Sequence, residues 1–264
     1  MKILNFLFSR SKQEQDKPIR DKLKTRKDFE RVLAEDLDIM ETTKARMDTA
    51  KNINLYMYRS LSYSYILILQ SKYSVDAKID ELRDIYIKSM HYFLQAFNKR
   101  NPIYADILNY VSLGVLLNIP DNNFRQLIDY VKQMDKQAKP SGWTPDLLLW
   151  FMLNSRLKEQ EKLKYAETLA YPRLYNGLYK VIQAPNAAAA KDALNKYLDR
   201  WYNLNSDAPW YNSHLKDNCY RGYWAWEVAA VAKIMHIDDS DLKNNQYYPY
   251  DMVHWADNET TAKE

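Results

Sequence analysis

Along most of the chain apolar residues recur at intervals of three and four, the spacing of amphipathic helices rather than strands. Phe29, Val32, Leu33, Leu37, Met40 and Met47 predict a first helix over 27–49. Leu55, Tyr58, Leu61, Tyr65, Ile66 and Leu69 predict a second over 52–71. Asp76 reads as the N-cap of a third, reaching about Asn98. Asn101-Pro102 opens an apolar helix that stops before Pro120, and Asp121 begins another that ends near Lys139. In the connector Lys139-Pro-Ser-Gly-Trp-Thr-Pro-Asp146, Thr144 is the expected N-cap and Pro145 the first helical residue. Helices follow through Leu153, from Tyr165 to Gln183 with a break or kink at Pro172, and from Asn186 to about Tyr202.

These elements predict an all-α protein of antiparallel helical hairpins packed as a multi-helix bundle. The connector divides it into an N-terminal helical region, 1–139, and a C-terminal one, 140–264. No fixed-period repeat is present, which argues against a tetratricopeptide array.

The last helix is expected to start near Cys219. At 100° per residue, Tyr220, Tyr223, Trp224, Val228, Val231, Ile234 and Met235 fall within an arc of about 140°. Glu227 lies near its middle. An ionised carboxylate cannot be buried alone, so Glu227 is either hydrogen-bonded or paired within the core, or reaches a partner.

Composition agrees with the helical reading. Only 4 of 264 residues are glycine, well below the usual share of about 7%. A single cysteine, Cys219, forms no intrachain disulfide and no Cys-based zinc site, which fits a reducing cytoplasm. The run from Ile107 to Pro120 is uncharged for 14 residues, short of the ~20 that a membrane span needs. No membrane span is expected. Residues 3–9 are apolar but lead to no cleavage site of the small-residue type, and read as a segment that docks or stays mobile, with contact to a membrane surface as the weaker reading.

The formal charge of +4 is uneven. Residues 1–27 carry 9 Lys/Arg against 3 Asp/Glu, whereas residues 207–264 carry 5 against 10. The acidic end predicts a basic partner there. The basic stretch from Lys12 to Lys27 lacks interleaved aromatics and reads as a solvated tail or helix face, with no direct nucleic-acid contact.

The string Gly222-Tyr-Trp-Ala-Trp-Glu227, with Ala229, Ala230 and Val231, then Ile237-Asp-Asp-Ser240 and Tyr247-Tyr-Pro-Tyr-Asp251, resembles the C-terminal signature of PoNi proteins. These are the immunity partners of PoNe-type polymorphic nuclease toxins. The resemblance implies a helical cytoplasmic antitoxin that binds and silences a secreted DNase in interbacterial competition of the type VI secretion kind, with no catalytic residue and no cofactor. A PoNe-type toxin belongs by that resemblance to the restriction-endonuclease-like nucleases, whose DNA cleft is basic. Glu227, Asp238, Asp239, Asp241, Tyr248 and Asp251 are then the candidate partner-binding residues.

The residues also leave other readings open. Asp238, Asp239 and Asp241 could hold a hard cation, or cap the next short helix. His91, His214, His236 and His254 form no H-E-x-x-H, and His236 suits a helix end. No phosphate-binding glycine loop and no nucleophile elbow occurs. Among Tyr247, Tyr248 and Tyr250 at least one is expected to face outward. A helical scaffold with a peptide groove, or a metal-dependent hydrolase built on Glu227 and the aspartates, are the competing functions.

Overall fold

The computed structural model describes residues 18–96, 103–138 and 142–261. The apolar segment at 3–9, the Asn101-Pro102 start, most of the basic N-terminal stretch and the head of the connector lie outside them.

Among the described residues there are ten α-helices and no strand: α1 (Arg26–Thr49), α2 (Leu55–Ser74), α3 (Ile79–Ala96), α4 (Tyr104–Leu116), α5 (Asp121–Gln133), α6 (Leu147–Asn154), α7 (Pro172–Ile182), α8 (Ala187–Leu204), α9 (Trp226–Ile234) and α10 (Tyr250–Thr261). A π-helical turn, Met134–Ala138, prolongs α5. The all-α expectation holds.

The chain forms two compact units. One contains α1, α2 and α3 together with Asn212–Tyr223, and the other contains the helices from α4 onward without that segment. The connector expected to divide the chain near residue 139 therefore falls inside the second unit.

In the first unit, Leu33, Met40, Leu61, Tyr65 and Ile68 form the core between α1 and α2, and Leu37, Met47, Ile85 and Tyr92 close it. A capping box starts α1: the Asp28 amide donates to Thr25 Oγ1 at 3.3 Å and the Thr25 amide to Asp28 Oδ2 at 3.0 Å. Asp76 does not cap α3. It ends α2 with φ +78°, its amide donating to the Tyr73 carbonyl at 3.1 Å and that of Ala77 to Lys72 at 2.9 Å, the paired bonds of a Schellman motif. Asn118 (φ +43°) ends α4 and His236 (φ +51°) ends α9 in the same way. A chain short of glycine thus stops three helices with Asp, Asn and His, residues that tolerate the left-handed region better than most.

Arg20 and Arg26 are docked rather than solvated. Arg20 Nη1 donates to the carbonyls of Tyr73 (2.9 Å) and Ala77 (3.0 Å), and Arg26 Nη1 to Val75 at 3.2 Å. Both cations meet the negative end of α2, where its last carbonyls lack helical partners.

In the second unit α4 is nearly all buried and packs against α9, whose Val228, Ala229, Ala230, Val231 and Ala232 are each at most 1% exposed. Small side chains let the two backbones approach closely. Pro172 does not kink a longer helix; it is the first residue of α7, where its missing N–H costs nothing. Asp146, rather than Thr144, caps α6, accepting from the Leu149 amide at 2.9 Å.

Candidate functional site

The segment expected to be one helix has no regular secondary structure from Tyr220 to Ala225 and is helical only from Trp226. Tyr220 and Tyr223 therefore share no helix face with Glu227. They belong to the first unit, where the Tyr220 hydroxyl donates to Asp21, the Tyr220 ring lies 5.7 Å from Phe29, and Tyr223 Oη accepts from the His214 amide at 3.0 Å. The next residue, Arg221, makes a two-pronged ion pair with buried Asp36, at 2.9 Å from Nε and 2.7 Å from Nη2. Asp36 lies between Val32 and Met40 on the buried face of α1. Burial raises its carboxyl and Arg221 opposes that rise.

Glu227, in the first turn of α9, is 7% exposed and accepts from Trp201 Nε1 at 2.6 Å. Burial pushes its carboxyl up to about 7, against the lowering effect of a backbone N–H and the indole. Buried Tyr175 and Tyr197 lie within electrostatic reach, and the Glu227 charge adds to the burial that raises their phenols. Glu227 is thus hydrogen-bonded within the core of the second unit.

The aspartate cluster divides by burial. Asp238 and Asp241 are exposed and share one cation: Lys191 Nζ lies 2.8 Å from Asp238 Oδ2 and 3.2 Å from Asp241 Oδ1. Asn195 Nδ2 also donates to Asp241 at 2.9 Å. The Lys191 hydrogen bond holds the Asp238 carboxyl well below its usual range, and Asn195 followed by Lys191 lowers Asp241. Asp239 is 2% exposed and accepts from the Tyr248 hydroxyl at 2.7 Å, with His254 Nε2 2.8 Å away. Tyr248 is itself 2% exposed.

The structure thus turns Asp239 and Tyr248 inward, because a hydroxyl and a carboxylate satisfy each other more cheaply in the core than either would alone. Asp251 is half-buried in the first turn of α10, and Tyr247 and Tyr250 are half-buried as well, so none of the three tyrosines is an exposed anchor. Of the six residues expected to meet a partner, Asp238 and Asp241 are exposed, and Lys191 already meets their charge.

Other buried carboxylates escaped the sequence reading. Asp135 accepts from two indoles, Trp143 at 2.7 Å and Trp150 at 2.6 Å. Asp146 accepts from Tyr104 at 3.0 Å and from the Ala170 amide at 2.7 Å, besides capping α6. The available signal was an acid set among tryptophans and tyrosines, the same signal that marked Glu227. No group of three His, Cys, Asp or Glu side chains among the described residues is arranged to hold a metal ion. A shallow cavity of about 210 Å³ is lined by Asp121, Phe124, Arg125, Arg156 and Glu161, and its acids pair with its arginines.

Two family models match in sequence order. Residues 11–129 match the N-terminal part of the PoNe immunity proteins (PoNi) and residues 144–252 the C-terminal part, together most of the chain. The chain belongs to the PoNi family. The Gly222–Glu227 and Ile237–Asp251 strings that carried the resemblance to PoNi proteins lie within the C-terminal match. The crystal structure of protein PA2201 from Pseudomonas aeruginosa has the same fold, with a TM-score of 0.70, 19% identity and 93% of each chain covered. Comparison with curated proteins gave no match. No helix among the described residues of this PoNi chain is long and apolar enough to cross a membrane.

Proposed function

We propose that this PoNi protein binds the nuclease domain of a PoNe-type DNase toxin and blocks its approach to DNA, acting in the cytoplasm as an inhibitor rather than a catalyst. The observation that carries this reading is the ordered match of both PoNi halves over most of the chain. The setting is competition between bacteria, with the toxin delivered by a secretion system such as type VI.

The physical character of the fold supports inhibition by surface contact. Its buried acids are satisfied internally, which favours one well-defined conformation and a preorganised surface. A formal charge of +4 opposes wholesale imitation of DNA, so occlusion by a local surface is the better mechanism. Co-expression with a cognate PoNe-type toxin tests the reading: growth is restored if the chain neutralises the toxin. Growth arrest despite soluble expression of the chain contradicts it.

A further inference from the structure

The helical hairpin of α1 and α2 presents to solvent a face that its own core does not use. On α2, Tyr56 and Tyr63 are seven residues apart, hence on one stripe of the helix. They are 80% and 60% exposed, and Ile39 of α1 is 51% exposed. The register of the two antiparallel helices puts Ile39 beside Tyr63. Thr43 Oγ1 lies 3.5 Å from Ser60 Oγ; Ile39 is one turn before Thr43, Tyr63 one turn after Ser60, and in an antiparallel pair both steps run the same way. Arg221, held on Asp36, feels the Tyr63 side chain as well, which places Tyr63 near the same turn of α1. Ile53 and Leu55, exposed before and at the start of α2, extend the apolar surface.

Charge supplies the second argument. Glu35 and Asp38 are exposed on the turn of α1 that leads into Ile39. Among the described residues neither has an ion-pair partner, whereas Glu41 is paired with Lys44 and Asp28 with Arg31. A single exposed tyrosine is ordinary. Two exposed tyrosines with exposed Arg59 between them on the same stripe, beside an exposed isoleucine and with unpaired acids at one end, have the Tyr- and Arg-rich composition of a binding hot spot rather than of a solvated helix face. An enzyme that grips DNA must carry a basic cleft to meet phosphates, and Glu35 and Asp38 offer that cleft charges that no cation here already holds. Asp238 and Asp241 differ, since Lys191 is between them.

We propose that this α1–α2 face docks the nuclease domain, with Tyr56, Tyr63 and Ile39 as anchors and Glu35 and Asp38 as steering charges. The proposal rests on the immunity function above and locates its contact surface.

The test uses the full chain and, as probe, the nuclease domain of a cognate PoNe-type toxin, inactivated at a metal-binding acid, with binding followed by interferometry. Tyr56→Ala with Tyr63→Ala raises Kd at least ~10-fold, mostly through faster dissociation. Glu35→Gln with Asp38→Asn slows association several-fold at low salt, and the difference fades at high salt. All four side chains are on the surface, and Tyr56→Lys alone, at the most exposed of the positions, repeats the test with one substitution. If the wild-type chain does not bind, the immunity reading falls and this proposal with it. If the wild type binds and these variants bind equally well, only the docking surface is overturned. Weakened binding by Asp238→Asn with Asp241→Asn, with the tyrosine variants unaffected, overturns it too, and so does a homodimer that the tyrosine variants break while toxin binding persists.

Discussion

Trp201 donates its indole N–H to the Glu227 carboxylate at 2.6 Å, and both side chains are buried, at 4% and 7% exposure. The carboxyl is raised from 4.5 to about 7. The folded chain therefore holds this proton over a range where the unfolded chain has lost it. Its contribution is fully present below about pH 4.5 and is lost as pH rises to about 7, beyond which it levels off. A shift of this size amounts to about 3 kcal/mol. Glu227→Gln keeps an acceptor for Trp201 and removes the titration, so the variant gains about 3 kcal/mol relative to wild type between pH 4.5 and 8. Urea unfolding at several pH values measures this, and parallel curves for the two proteins contradict it.

Trp201→Phe removes the donor and leaves the carboxylate buried without it. The expected loss at pH 8 is about 1–3 kcal/mol. It shrinks at pH 5, where Glu227 is protonated. A loss independent of pH assigns the effect to packing alone.

Asp36 and Arg221 form a buried pair whose side chains are 3% and 12% exposed. Arg221→Ala abandons the Asp36 charge in the core and costs about 3–5 kcal/mol, whereas Arg221→Met combined with Asp36→Leu restores most of the stability. Thermal unfolding distinguishes them. Equal loss in both variants shows that the pair is not what ties Asn212–Tyr223 to α1.

A Cβ on Gly177 would lie 2.5 Å from Cδ2 of the Tyr197 ring. Gly177 thus allows α7 and α8 to approach, and Gly177→Ala costs about 1–3 kcal/mol by overpacking. If instead the variant is more stable, as alanine is in an exposed helix, Tyr197 is free to move aside.

The long helices of the first unit were legible because each buries one stripe of its surface, and that stripe repeats with the helical period, whereas α4 was legible as an uncharged apolar run. The π-turn after Gln133 and the left-handed Asp76 and Asn118 were not, since these depend on backbone bonds that no apolar spacing encodes, whereas His236 was legible as a helix end. The region from Tyr220 to Trp226 misled for a related reason. Aromatics packed from an irregular stretch of chain can imitate a helical stripe, and the one break signal inside it was Gly222, which takes φ +107°. Glu227 was legible as a carboxylate needing a partner, though Trp201, 26 residues away in sequence, was not. Asp239 and Tyr248 were chosen for their chemistry, and mutual satisfaction is how that chemistry is used. The exposed Tyr56, Tyr63 and Ile39 drew no notice, because exposure at a helix surface is decided by which neighbours cover it.

The inhibition of DNA cleavage tests the central claim most directly. With the purified nuclease domain of a cognate PoNe-type toxin, a divalent cation and linear DNA, an equimolar amount of this chain is predicted to abolish cleavage without cleaving the DNA itself. Undiminished cleavage at a several-fold excess of folded chain would contradict the account.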